Sequence, residues 1–165
     1  MKFIVFLSGP VGVGKTTLGR ALGEKLSGSF IDGDDHSAPG MPWYASILTT
    51  SHAVVRTALE AVAEDHPVVI AYPLNCIGWI FYRRKLTEAG VMPIFVTLRA
   101  SYDSIVSEDR GRVFSAGEKA RIVVMISEGY ADREFSDLVI DTDLSDFDTT
   151  LARLQAAVEK EIAHA

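Results

Sequence analysis

Short apolar runs alternate along this chain with longer stretches in which apolar residues recur every three or four positions. Phe3 to Leu7, Val68 to Tyr72 and Pro93 to Leu98 are nearly continuous in apolar residues, with shorter runs at Ser29 to Asp32 and Leu138 to Asp141. Such runs, bounded by turn residues, predict strands, the longer ones buried on both faces. Between them the periodicity predicts helices over Thr16 to Leu26, about Ala45 to Glu64, Gly78 to Ala89, Ser101 to Glu108, Ser115 to Glu128 and Asp146 to Ile162. In the second of these, Ile47, Val54, Val55, Leu59 and Val62 make the apolar stripe, and His66-Pro67 ends it, because proline lacks an N–H and disfavours helix before it. Gly90 stands where a helix C-cap needs a left-handed residue. Asp148 falls near the positive end of the closing helix. Five strands alternating with helices imply parallel βαβ units: an α/β fold, a three-layer αβα sandwich around a five-stranded parallel sheet. With no repeat and no linker, residues 1–165 read as one domain. Ligands of such sheets lie beyond the carboxyl ends of the strands.

The chain is long enough to bury a core without metal or disulfide staples. A hydrophobic share of 48% with 23% charged residues is that of a soluble globular protein. A net charge of −6 argues against a general nucleic-acid binder, which needs clustered Lys and Arg; it leaves room for a local basic pocket. Cys76 is the single cysteine, which excludes an internal disulfide and fits a reducing, cytoplasmic setting. The apolar run at the N-terminus is short and ends in a glycine-rich loop, so it reads as a strand rather than a signal peptide. No apolar run approaches the roughly 20 residues of a membrane span. Monomer and homodimer are both open.

The strongest motif is Gly9-Pro10-Val11-Gly12-Val13-Gly14-Lys15-Thr16, which matches G-x-x-x-x-G-K-[ST] between a predicted strand and a predicted helix. In that setting backbone N–H groups of Val11, Gly12, Val13, Gly14, Thr16 and Thr17 converge on phosphates, helped by the helix N-terminus. Lys15 would reach the β- and γ-phosphates of ATP, and the Thr16 hydroxyl would coordinate Mg²⁺.

After the second strand comes Phe30-Ile31-Asp32-Gly33-Asp34-Asp35-His36. In extended backbone Asp32 and Asp34 share a face. Phosphoryl transfer needs one group to orient the acceptor hydroxyl and another on the magnesium side, and a carboxylate pair supplies both. A P-loop followed by Phe-Ile-Asp-Gly-Asp resembles small-molecule kinases of the shikimate and gluconate kinase group, over the whole chain in element order. The resemblance implies strand order 2-3-1-4-5, Asp34 as the contact to the acceptor hydroxyl and Asp32 as the magnesium-side carboxylate. It also implies a lid around residues 108–116, where Arg110, ahead of Arg112, would stabilise the transferring phosphoryl group and stack on adenine.

Other positions bear on the acceptor. Met41-Pro42-Trp43-Tyr44 resembles the Pro-Trp segment opening the second helix of gluconate kinases. Arg56 is similar in placement to the arginine that binds shikimate's carboxylate. The third strand ends in Ala71-Tyr72-Pro73-Leu74-Asn75-Cys76, without the glycine run of shikimate kinases or the Ser-Ala-Leu-Lys of gluconate kinases; Tyr72 and Asn75 remain as hydrogen-bonding groups. Ser127-Glu128-Gly129-Tyr130 resembles chloramphenicol phosphotransferase, and Ile126 stands where shikimate kinases carry an acceptor-binding arginine. Arg83 lies in a basic cluster on a predicted helix. The expectation is an ATP-dependent kinase acting on a hydroxyl of a small molecule, a gluconate-like or shikimate-like acid first. The alternatives are a nucleoside monophosphate kinase, poorly served because Arg56 is the only basic Lys or Arg between Asp34 and His66, and an ATP-binding regulatory module without transfer activity. No Asn-Lys-x-Asp guanine-reading segment is present.

Overall fold

A computed structural model describes residues 1–37, 40, 43–64 and 66–165, with backbone only for 43–45. Its elements in chain order are β1 (Phe3–Ser8), α1 (Lys15–Lys25), β2 (Ser29–Asp32), a 3₁₀ turn (Gly33–His36), α2 (Trp43–Ala63), β3 (Val68–Ala71), α3 (Cys76–Glu88), β4 (Met92–Arg99), α4 (Tyr102–Val106), a second 3₁₀ turn (Glu108–Arg110), α5 (Ala116–Ser127), β5 (Leu138–Asp141) and α6 (Phe147–His164). The strands form one sheet in the order β2-β3-β1-β4-β5. Every pairing is parallel, as the alternation of elements and the resemblance led one to expect.

Period-two burial builds the layers. Ile4 and Phe6 of β1, Val68 and Ile70 of β3 and Phe95 of β4 face a core completed by Val54, Val55, Ala58 and Val62 of α2 and Tyr82 and Leu86 of α3. Val5, Leu7, Val69, Ile94, Val96 and Leu98 face the opposite core, closed by Leu18 and Leu22 of α1, Ile122 of α5 and Leu151, Leu154 and Val158 of α6. Each such side chain contributes about 1.5–3 kcal/mol on burial, so the sheet is a rigid base for its loops. Pro93 sits inside β4 without breaking it. The Met92 amide bonds to Lys2 on the β1 side, so position 93 turns the other way, and β5 pairs only from Val96 onward.

Several boundaries differ from the periodicity. α3 starts two residues early because the Asn75 side chain caps it, accepting from the Gly78 amide at 2.8 Å. The helix expected over Ser101 to Glu108 stops at Val106, and Ser107 caps a separate 3₁₀ turn instead. Met41 and Pro42, and the side chains of Trp43 and Tyr44, lie outside the described residues. Among the described residues no helix is long and apolar enough to cross a membrane.

Candidate active site

With β1 central between β3 and β4, the chain leaves the sheet in opposite directions on either side of it, which opens a crevice at the carboxyl ends of the strands. A cavity of about 660 Å³ lies there. The β1–α1 loop forms its floor. Gly12 has a φ of 78°, and a Cβ on it would stand 2.5 Å from Phe114 Cζ; only glycine lets Phe114 approach so closely. Gly14 precedes α1 in a left-handed conformation, no side chain caps the helix, and its first turn holds no acidic residue. The free amides and the positive end of the helix dipole are thereby left for an anion.

Lys15 Nζ donates to the carbonyls of Gly9 (2.8 Å) and Pro10 (2.6 Å). Burial pushes its ammonium down to about 8, against the pull of Asp34 and Asp32, which favour the charged form. The Thr16 hydroxyl donates to Asp32 Oδ2 at 3.0 Å, while Asp32 Oδ1 accepts from the Asp34 amide at 3.1 Å. The two aspartates therefore do not meet by extended alternation, as their spacing suggested. The strand ends at Asp32 and turns into a 3₁₀ helix at Gly33, where a Cβ would fall 2.2 Å from the Tyr72 ring. The turn sends Asp34 into the cavity with Lys15 and leaves Asp32 on Thr16. Burial, and then the negative charge of Asp32, raises the Asp34 pKa above the ordinary carboxylate value; Lys15 opposes this. Among the described residues no group of three or more His, Cys, Asp or Glu is placed to hold a metal ion by itself. A hydroxyl and one carboxylate beside a phosphate cradle suit a hard cation that keeps waters and phosphate oxygens as its other ligands.

The opposite wall comes from the segment after α4 and from the β5–α6 loop. Arg110 donates to the carbonyls of Gly12 (3.2 Å) and Thr142 (2.8 Å), and the Thr142 hydroxyl donates to the Val13 carbonyl at 2.9 Å. Arg110 thus ties the phosphate loop to the loop after β5. Arg112 also lines the cavity; it lies 4.5 Å over the Phe114 ring and donates to Glu118.

No family model matches the chain. A shikimate kinase of Bordetella avium is 31% identical to it, over 94% of this chain and 81% of that protein. The chain belongs to the shikimate kinase family. It is a small-molecule kinase. Among solved structures, a gluconokinase from Sinorhizobium meliloti superposes with a TM-score of 0.70 at 18% identity, over 96% of this chain and 97% of that one. The shikimate kinase from Acinetobacter baumannii in complex with shikimate gives 0.62 at 20% identity, over 97% and 95%. At those identities the likeness is one of fold.

On this shikimate kinase family scaffold the cavity gathers Val11, Gly12, Val13, Gly14, Lys15, Thr16, Thr17, Asp34, Arg110 and Arg112. Gly9 touches it through its carbonyl bonded to Lys15, and Asp32 through Thr16. Tyr72 packs on Gly33; burial, and then the charge of Asp34, raises its pKa. Asn75 borders a second, apolar cavity of about 210 Å³ between α2 and α3, with its carbonyl oxygen already used in the helix cap. Arg56 is exposed on α2 and borders neither cavity; Arg83 lies over Trp79 at 5.4 Å. Motif reasoning missed Ile105, Phe114, Thr142, Asp146 and Phe147, all of which line the larger cavity. The position of Thr142 after a strand's carboxyl end was the available signal for the β5–α6 loop. Phe114 fell within the lid expected at 108–116 without a motif of its own, and Ile105 had no signal, since only the fold brings the two over Gly12.

Proposed function

We propose that this kinase transfers the γ-phosphoryl group of ATP, with Mg²⁺, to a hydroxyl of a small hydroxy acid, gluconate-like or shikimate-like. The observation that carries the reading is Asp34 in one cavity with Lys15, one hydrogen-bonded step from the Thr16–Asp32 pair. Gly9 through Thr17 and Arg110 would hold the nucleotide, and Thr16 and Asp32 the metal. The bound cation would neutralise charge on the phosphate oxygens. Asp34 would accept the hydroxyl's hydrogen bond and aim its oxygen at the γ-phosphorus; a raised pKa suits it to take the proton as the bond forms. Lys15 would offset charge gathering on the phosphoryl oxygens. Residues 108–116 would act as a lid, since Arg110, Arg112 and Phe114 all overlie the cavity. On the acceptor side Tyr72 is supported by its packing beside Asp34 and Asn75 by its free amide N–H groups, whereas the exposure of Arg56 adds nothing to its candidacy. Dependence on ATP and the exposed free thiol of Cys76 fit a cytoplasmic protein.

The test is ADP release with MgATP across gluconate, shikimate, other sugar acids, nucleoside monophosphates and amphenicol alcohols. One hydroxy acid is expected to stand well above the rest. ATP binding with no release on any hydroxy acid would overturn the reading.

A further inference from the structure

The phosphate loop is gripped from outside by a clasp of two side chains, one after α4 and one after β5. Arg110 Nη1 donates to the Gly12 carbonyl at 3.2 Å. Its Nη2 donates to the Thr142 carbonyl at 2.8 Å and reaches the Thr142 hydroxyl at 3.3 Å. That hydroxyl donates to the Val13 carbonyl at 2.9 Å. The Thr142 amide in turn donates to the carbonyl of Arg99, the last residue of β4, at 2.8 Å, which roots the clasp in the sheet.

The two gripped carbonyls are consecutive. A trans peptide group is flat, with its C=O and N–H on opposite sides. Holding the Gly12 carbonyl therefore sets the direction of the Val13 N–H, and holding the Val13 carbonyl sets that of the Gly14 N–H. Both amides face away from Arg110 and Thr142. Without the clasp these peptide planes have unusual freedom, because Gly12 and Gly14 stand on either side at φ of 78° and 111°, where glycine moves without steric cost. The turn itself holds them weakly: the Val13 amide lies 3.4 Å from the Pro10 carbonyl, long for an N–H···O bond.

We infer that Arg110 and Thr142 are positioning residues: by gripping consecutive carbonyls they aim the Val13 and Gly14 amides at the triphosphate, and so raise affinity for phosphate whatever base it carries. This rests on the ATP-kinase reading above and not on which acceptor is used. Amides fixed in advance need no reordering when the anion arrives. Arg110 serves the nucleotide through the loop, with its donors on protein carbonyls, rather than by lying flat on adenine.

The experiment measures binding of MgATP, magnesium tripolyphosphate and adenosine by calorimetry, with competition against ATP for the weaker ligands. The proteins are wild type, Arg110→Met, Thr142→Val and the double variant. Arg110→Met is expected to weaken MgATP and tripolyphosphate by the same factor, roughly 10- to 100-fold, the range for hydrogen bonds from a charged donor. Thr142→Val should weaken both roughly 2- to 10-fold, the range for a neutral bond. Adenosine affinity stays at the wild-type level in every variant. The double variant falls short of the product of the two single effects, because both substitutions break one clasp. If Arg110→Met weakens adenosine and spares tripolyphosphate, the guanidinium lies on the base and the inference fails. If it weakens tripolyphosphate while Thr142→Val changes nothing, Arg110 touches the phosphates directly, and the inference fails too. A uniform loss across all three ligands with a lower Tm makes the clasp a general structural tie and overturns the positioning role. If wild type binds neither ATP nor tripolyphosphate, the nucleotide reading itself has failed, and the inference with it.

Discussion

Lys15 carries a prediction whose sign and size both follow from its surroundings. Burial lowers its pKa from 10.5 to about 8 in the nucleotide-free protein. A bound triphosphate brings several negative charges to the amine, which favours the ammonium form. If those charges restore the ordinary value, MgATP binding takes up about 0.1 proton at pH 7, about 0.5 at pH 8 and about 0.9 at pH 9. Titration calorimetry in buffers of different ionisation enthalpy measures this directly, as the slope of observed heat against buffer heat. Lys15→Met should remove the rise with pH while the variant still binds nucleotide, more weakly, and turns over little. Subtracting the variant's slope also removes any contribution from Asp34. A proton uptake that is flat between pH 7 and 9, or the same in the variant, would refute the assignment of a depressed amine at the phosphate site. The nucleotide-free fold carries the matching signature. Between about pH 8 and 10.5 it binds fewer protons than the unfolded chain, so this residue makes the fold gain stability as pH rises through that window and lose it as pH falls through 8.

Two further substitutions test the other half of the site. Asp34→Asn should cut kcat by about 10²- to 10⁴-fold, the worth of a positioned base, with little change in ATP affinity. Because the pKa of Asp34 is raised, its ionised form is disfavoured by folding and the cost is present above its folded pKa; the same variant should therefore melt at a higher temperature than wild type at neutral pH, and a lower Tm there would count against the electrostatic account. Gly12→Ala should weaken nucleotide binding sharply and lower stability by about 1–3 kcal/mol, since it combines a φ of 78° with a Cβ driven into Phe114; wild-type affinity in a melting and binding assay would show that the loop tolerates a side chain there.

Much of the molecule was legible in the chain itself. Runs such as Ile4 to Leu7 bury residues on both faces of a strand, which only a sheet covered by helices on both sides allows, so the three layers followed from pattern. The P-loop was legible because its chemistry is local: a strand, a glycine loop and a helix N-terminus place backbone donors by themselves. What pattern alone left open was everything that depends on distant segments meeting. Alternation placed Asp32 and Asp34 on one face, yet the chain turns into a 3₁₀ helix at Gly33, capped by the Asp32 side chain, and this divides the pair between Thr16 and the cavity. The resemblance made Arg110 a lid residue in a polar loop; in the fold it bonds to carbonyls of Gly12 and Thr142, 98 and 32 residues away. Phe114 carries no motif, but it dictates glycine at position 12. Local hydrogen bonding and periodic burial are written into short stretches of sequence. The electrostatic environment of a side chain is set by whichever remote groups the fold packs around it, and so the tertiary structure alone decided the state of Lys15 and the division of the aspartates.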